Sequence, residues 1–168
     1  LDSDFEPMRA ALEQARLALA EGNLPIGAVI VHEGRIVSAG RNGIETGEND
    51  THHAELAAIQ AVPQFLFRHK RQCTVYTTLE PCMMCMGAIV NSGITRVVFG
   101  VRDPVVGVAD LLPKIDYTRR KNMDLVEGVL REESQALLDE YVLRTGARAH
   151  IASPGLASSG QLPLVLPR

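Results

Sequence analysis

The chain has 168 residues, of which 46% are hydrophobic and 22% are charged, a composition typical of one globular domain with a substantial core. Its formal net charge of −3 at pH 7 does not favour a nucleic-acid-binding protein, because such proteins usually carry an excess of Lys and Arg. No apolar stretch reaches membrane-spanning length, and the acidic first residues lack the features of a secretory signal. We therefore expect a cytoplasmic protein without membrane contacts.

The first half of the chain predicts a helix, a hairpin and a long loop. Apolar residues recur at helical spacing over about residues 5–19. Two β-rich runs, 26–31 and 35–39, are separated by a Glu-Gly turn and predict a hairpin. Residues 42–51 are rich in Asn, Gly, Asp and Thr and predict a loop.

A second helix is predicted over residues 52–62. Thr51 is a suitable N-cap for it, and Pro63 is expected to end it. This assignment places His53 in the first turn of the helix.

A strand is predicted over residues 73–79, because this segment is rich in β-branched residues. Pro81 then suits the first position of a helix that Gly93 ends. The later predicted elements are a strand over 95–100, a short helix over 108–115, an edge strand over 124–129 and a helix over 131–143.

Helices that alternate with strands after an opening hairpin predict an α/β fold. We expect a three-layer α/β/α sandwich with a mixed sheet of about five strands. Residues 1–150 form the predicted domain, and residues 151–168 are a linker-like, apolar C-terminal tail. The apolar end of this tail, 162–166, is suited to crossing onto a partner subunit.

The residues with the clearest chemistry are His53, Glu55, Cys82 and Cys85. Two cysteines three residues apart on a helix present their sulfurs on one face, with the spacing of zinc ligands. His53 is the third predicted ligand, which leaves one tetrahedral position open for water, as in catalytic zinc sites. Glu55 is better placed beside that water than on the metal, so we expect it to carry protons.

Other interpretations of these residues exist. The Cys-x-x-Cys pair alone fits a redox motif or half of a structural zinc site, with Cys73 as a fourth ligand. The chain is then a zinc-stabilised binding module, and the carboxylate of Glu55 has no purpose. His52 receives no chemistry, because only His53 has the correct spacing from Glu55.

His-x-Glu followed by Pro-Cys-x-x-Cys resembles the signature of zinc-dependent nucleobase deaminases. The segments 77–89 and 96–103 resemble the tRNA-specific adenosine deaminases most closely, and the resemblance covers residues 5–145. It implies the cytidine deaminase-like fold, one Zn²⁺ per chain, Glu55 as acid and base, and at least a homodimer.

The same resemblance implies four substrate contacts. They are the side chain of Asn42, the backbone N–H of Ala54, the carbonyl of Glu80 and the loop that contains Asp103. From the residues alone, Asn42 is better explained as an ordinary turn residue.

The substrate is harder to predict than the reaction. The tRNA deaminases typically end in a basic helix, whereas only three arginines follow Tyr141 here. The basic runs 68–71 and 119–121 are each more typical of a solvated loop than of a phosphate site. The sequence therefore favours a small-molecule substrate, a free nucleobase or a nucleoside, with tRNA adenosine as the alternative.

Overall fold

A computed structural model of the chain describes residues 2–147. The elements in chain order are α1 (Asp2–Ala20), β1 (Gly27–His32), β2 (Arg35–Arg41), α2 (Ile44–Gly47), α3 (Ala54–Ala61), α4 (Pro63–Arg68), β3 (Cys73–Leu79), α5 (Met83–Asn91), β4 (Arg96–Val101), a 3₁₀ helix (Leu112–Lys114), α6 (Asp116–Arg120), β5 (Asp124–Glu127) and α7 (Arg131–Thr145). Within these residues, each helix is too short or too polar to span a membrane.

Among residues 2–147, five strands form one mixed sheet in the order β2-β1-β3-β4-β5. Strand β1 is antiparallel to both β2 and β3, whereas β3, β4 and β5 are parallel. Parallel neighbours need a crossover connection, which α5 supplies between β3 and β4. The carboxyl ends of β3 and β4 therefore meet at one edge of the sheet.

Side chains alternate between two apolar layers along the central strands. Val29, Tyr76 and Val98 pack with Met8 and Ala11 of α1. Their neighbours Ile30, Val75 and Val97 pack on the opposite face with residues of α3 and α5. Helix α7 joins α1 on the first face through Leu12, Ala15, Leu19 and Leu137. This arrangement confirms the predicted three-layer α/β/α sandwich.

An ion pair between the buried Asp4 and the half-buried Arg96 links α1 to the sheet. Asp4 is 3% exposed, and its two carboxylate oxygens accept hydrogen bonds from Arg96 at 3.0 Å each. The hydroxyl of Tyr76 also donates to Asp4, at 2.8 Å. The bonds to Arg96, more than any other contact, lower the pKa of Asp4, and burial raises the pKa of Tyr76 to about 12.

The predicted starts of the two central helices were wrong by about two residues. Helix α3 begins at Ala54, with His53 as its N-cap in an extended conformation. Helix α5 begins at Met83, with Cys82 as its N-cap. Pro81 therefore precedes the helix instead of opening it.

Other boundaries also differ from the sequence prediction. Pro63 opens α4 directly after α3, as suits a residue without a backbone N–H. The predicted helix over 108–115 is reduced to the 3₁₀ helix Leu112–Lys114. The loop over 42–51 contains α2. The predicted tail, residues 151–168, lies outside the described residues, so the domain boundary at 150 stays a prediction.

Candidate active site

Three potential metal ligands converge where two helices begin. His53 is the N-cap of α3, Cys82 is the N-cap of α5, and Cys85 lies in the first turn of α5. The Nδ1 atom of His53 lies 3.4 Å from the sulfur of Cys85 and 3.7 Å from that of Cys82. All three ligand atoms lie within 4.8 Å of one another.

These distances fit a zinc ion. Tetrahedral bonds of 2.0–2.1 Å to nitrogen and 2.3 Å to sulfur separate the two ligand atoms by about 3.6 Å, and the observed distances lie on either side of this value. Within residues 2–147, the grouping that could hold a metal contains only His53, Cys82 and Cys85. Three protein ligands with borderline and soft donors are typical of a catalytic zinc site, which keeps one position open.

Cys73 does not join this group. It begins β3, at the far end of the strand from the metal ligands. Its thiol is buried and donates to the carbonyl of His69 at 3.7 Å, and burial raises its pKa. The interpretation of Cys73 as a fourth zinc ligand was therefore wrong.

Hydrogen bonds within the ligand group create a thiolate. The pKa of Cys82 is lowered to about 4. The hydrogen bond from the thiol of Cys85 is the main cause, and the hydrogen bond from His53 lowers the pKa further. The pKa of Cys85 is raised, chiefly because it donates to Cys82. The bond to Cys82 is also the main cause that raises the pKa of His53. Metal ligation would require both cysteines as thiolates, so binding of a metal here would release the proton of Cys85.

Glu55 lies beside the ligands in the first turn of α3. Its side chain is buried, and the hydroxyl of Thr77 donates to its Oε1 at 3.3 Å. Burial is the main reason that the pKa of Glu55 is raised. A buried carboxyl with a raised pKa holds its proton more readily than an exposed one, which suits a group that accepts and returns a proton.

A cavity of about 120 Å³ opens onto these groups. Its polar lining includes His53, Glu55, Cys82, Asn42, Glu80 and Asp103. Its apolar lining consists of Leu24, Ile26, Ile44, Leu79 and Val106. Sequence reasoning missed this apolar lining, because its members come from separate segments and share no local pattern.

Asn42 combines the two interpretations that the sequence left open. Its Oδ1 accepts a hydrogen bond from the N–H of Ile44 at 3.2 Å, which is the geometry of an Asx turn. It is also 1% exposed and lines the cavity. Ala54, in contrast, is fully buried as the first residue of α3 and is not part of the cavity lining.

The carboxylates of Glu80 and Asp103 organise the loop that follows β4. Glu80 accepts hydrogen bonds from the N–H groups of Asp103 at 3.0 Å and Ala109 at 2.8 Å. Asp103 accepts bonds from the N–H groups of Val105 at 2.9 Å and Val106 at 3.0 Å. The sequence analysis assigned only the carbonyl of Glu80, so it missed this structural role of its side chain.

Gly107 shows how tightly this loop is held. It pairs with Cys82 in an isolated β-bridge. A Cβ atom at Gly107 would stand 2.4 Å from the carboxyl carbon of Glu80 and 2.4 Å from the carbonyl oxygen of Asp103. The loop over residues 103–109 therefore supports a zinc ligand as well as the cavity.

Known proteins share both the sequence and the fold. Residues 2–101 match the family model for the cytidine and deoxycytidylate deaminase zinc-binding region. A tRNA-specific adenosine deaminase of Bacillus subtilis is 37% identical over 137 residues, which cover 80% of this chain and 85% of that protein. Another from Aquifex aeolicus is 35% identical over 139 residues and covers 80% and 90% of the two chains.

Two solved structures extend the comparison to the fold. One comes from work on A-to-I editing by tRNA:A34 deaminases; it is 31% identical, with a TM-score of 0.67, and covers 79% of this chain and 99% of that one. The guanine deaminase from Nitrosomonas europaea is 25% identical, with a TM-score of 0.66 and coverage of 80% and 82%. The chain therefore belongs to the cytidine and deoxycytidylate deaminase family, whose members bind zinc and hydrolyse a C–N bond of an aminated base.

Proposed function

We propose that this enzyme is a tRNA-specific adenosine deaminase, which converts adenosine in tRNA to inosine and releases ammonia. The observation that carries this proposal is the 37% identity over 85% of the length of a bacterial enzyme with that activity. The sequence analysis favoured a free base or nucleoside, and the relatives favour its alternative. A tRNA substrate agrees with the predicted cytoplasmic location, which stays a prediction.

The metal site supplies the electrophilic half of the reaction. His53, Cys82 and Cys85 would hold a zinc ion, which when bound would supply a Lewis acid that lowers the pKa of water to near 7. The thiolate of Cys82, together with the placement of His53 and Cys85 at two helix starts, prepares the ligand group for the cation.

We assign the proton transfers to Glu55. Its carboxylate accepts a proton from the attacking water and passes it to the ring nitrogen beside the reacting carbon. It then moves the second proton of the water to the departing amine, so that the amine becomes ammonia and the carbon becomes a carbonyl. The bond from Thr77 holds the carboxyl in place during these steps.

Four further residues are assigned to the substrate. Asn42 lines the cavity, and its side chain is assigned to the base or its sugar. The backbone N–H of Ala54 and the carbonyl of Glu80 are assigned to the base. Asp103 is assigned to the sugar side of the cavity, where it also shapes the loop.

An exposed apolar surface beside the site supports a homodimer. Met83, Leu111 and Ile115 are 70%, 42% and 48% exposed, and they line a groove of about 290 Å³ between α5 and the segment 108–118. Exposed patches of this kind mark interaction surfaces. Sedimentation of the protein, compared with a Met83→Glu/Ile115→Glu variant, tests the proposal: we expect a dimer that the variant dissociates, and a monomeric parent protein would contradict it.

Ammonia and inosine assays decide the substrate. We expect inosine in a tRNA anticodon stem-loop, with no turnover of free adenosine, guanine or cytosine. The structural similarity to a guanine deaminase supports the free-base alternative. Turnover of a free base with an inert stem-loop would establish that alternative instead.

A further inference from the structure

Two basic runs that are far apart in the sequence meet at one end of the molecule. Lys70 and Arg71 follow α4, and the backbone N–H of Arg71 donates to the carbonyl of Gly93 at 2.8 Å. The Cγ of Lys70 lies 3.0 Å from the position that a Cβ on Gly93 would occupy. The first run is therefore fixed against the turn that follows α5.

The second run is attached to the same turn. The hydroxyl of Tyr117, in α6, donates to the side-chain oxygen of Asn91 at 3.4 Å. Just after α6, the N–H of Asp124 donates to the carbonyl of Thr95 at 2.8 Å. Arg120 and Lys121 lie between Tyr117 and Asp124 in the chain, and so between these two hydrogen bonds. Residues 91–95 thus bring both runs together.

The positive charges in this region are not neutralised. Within residues 2–147, none of Lys70, Arg71, Arg120 and Lys121 forms a salt bridge. The acids carried by α6 and the start of β5 are already engaged: Asp116 pairs with Arg119, and Asp124 pairs with Arg96. We call these four residues, Lys70, Arg71, Arg120 and Lys121, the basic surface.

The first half of the basic surface also carries an exposed aromatic ring. The Nζ of Lys70 lies 4.3 Å from the ring centre of Phe67, which is 73% exposed. The Nζ of Lys121 lies 5.0 Å from the ring centre of Tyr117, but that ring lines the groove assigned to the dimer and is not counted as a contact for RNA. Cations for phosphates beside aromatic faces for bases are the combination by which proteins bind single-stranded nucleic acid.

The basic surface lies at a defined distance from the chemistry. The N-terminal end of α5 holds Cys82 and Cys85, whereas Asn91 at its C-terminal end accepts a hydrogen bond from Tyr117, three residues before Arg120 of the basic surface. Nine helical residues at about 1.5 Å per residue span about 13 Å. That length corresponds to about four nucleotides along a helical strand, so a free nucleoside cannot reach both places.

We infer that the basic surface binds the phosphate backbone of the RNA that flanks the reacting adenosine. This inference rests on the proposed function, because it requires an RNA substrate. It explains how a protein with a net charge of −3 accommodates a polyanion: four uncompensated cations are concentrated at one end.

Paired substitutions test the basic surface. Lys70→Gln/Arg71→Gln and Arg120→Gln/Lys121→Gln each remove two charges while keeping polar side chains. Arg9→Gln/Arg16→Gln is the matched control, since it removes the same charge from two exposed ion pairs on α1, on the other face of the sheet. The measurements are the dissociation constant of a tRNA anticodon stem-loop at several salt concentrations, kcat and KM, zinc content and Tm.

We expect each basic-surface pair to weaken binding about three- to tenfold. The slope of log affinity against log salt becomes shallower by about 0.7 to 0.9 for each lost phosphate contact. KM rises while kcat, zinc content and Tm stay unchanged, and the control retains the parent salt slope.

The failure of this inference can be distinguished from that of the proposed function. If inosine forms in the stem-loop and both pairs bind it like the control, the basic surface has no role in RNA binding. If the pairs lose affinity and salt slope but the parent protein forms no inosine, the basic surface stands as an RNA site and the proposed function is wrong. If one pair of substitutions lowers Tm, its loss of affinity is not specific to RNA binding. The other pair then decides whether the basic surface binds RNA.

Discussion

Helix α5 joins two regions that differ in burial and in charge. At its N-terminal end, the cavity brings together two cysteines, a histidine and the buried carboxyl of Glu55. At its C-terminal end lie the four cations of the basic surface, which form no salt bridge within residues 2–147. Under the two proposals, groups in the first region act through protonation states that burial and hydrogen bonds adjust, whereas the basic surface acts through its charge. One helix would then separate the residues of the chemistry from the residues that hold the flanking RNA.

The largest effect is expected at the catalytic end, from Glu55→Gln. Glutamine keeps the shape of the carboxyl but cannot transfer a proton, and a positioned acid or base contributes about 10² to 10⁴-fold to the rate. We expect turnover to fall by at least that factor while zinc content and Tm stay at parent values. Near-normal turnover with zinc retained would remove Glu55 from the mechanism.

The second effect concerns the metal itself. Cys82→Ser and Cys85→Ser each remove a soft zinc ligand, so we expect the metal-to-protein ratio to fall from about one towards zero after dialysis against a weak chelator. Cys73→Ser is the control, because its thiol lies at the other end of β3. Loss of zinc from the Cys73 variant would require a different ligand set.

The third effect concerns Arg96, which is committed to the fold, whereas the four residues of the basic surface form no salt bridge within residues 2–147. Asp4→Asn removes the carboxylate that Arg96 and Tyr76 bind, and we expect a loss of about 1.5–3 kcal/mol in the free energy of unfolding at pH 7. Urea unfolding of both proteins at a series of pH values measures this loss in the free energy of unfolding.

The stability difference between the parent protein and Asp4→Asn depends on pH, and its direction follows from the lowered pKa of Asp4. The stabilisation is complete above the unfolded pKa of about 3.9 and is lost as the pH falls through the lower folded value. The parent protein and Asp4→Asn should therefore converge in acid. A constant difference down to the lowest pH would exclude this ion pair as the cause.

The smallest effect is expected in the loop over residues 103–109. Glu80→Gln weakens the acceptor for the N–H groups of Asp103 and Ala109, which should lower stability by about 1–2 kcal/mol and raise KM severalfold. Glu80 and Glu127 both pair with Arg102. Glu127→Gln is therefore the matched control, because it weakens the pairing with Arg102 at an exposed position without touching the loop. Equal effects of the two variants on KM would mean that Arg102, and not the loop, is responsible.

The grouping of His53, Cys82 and Cys85, the place of Glu55 beside it and the layered fold could be predicted, because each depends on short-range patterns. The Cys-x-x-Cys and His-x-Glu spacings lie within single elements, and the strand Cys73–Leu79 alternates between two cores. The helix starts were misplaced because a cap is set by tertiary position: His53 and Cys82 are N-caps where strands and loops deliver them. The basic surface could not be predicted, since only the turn at 91–95 joins its two halves.

The most direct test of the central claim is to incubate the zinc-loaded enzyme with a tRNA anticodon stem-loop in ¹⁸O-labelled water and analyse the nucleosides by mass spectrometry. Hydrolytic deamination of adenosine predicts inosine with one ¹⁸O atom at the carbonyl and one ammonia released per inosine. A stem-loop that is recovered unchanged while free guanine, adenine or cytosine is deaminated under the same conditions would contradict the proposed substrate, and inosine without the label would contradict the hydrolytic mechanism.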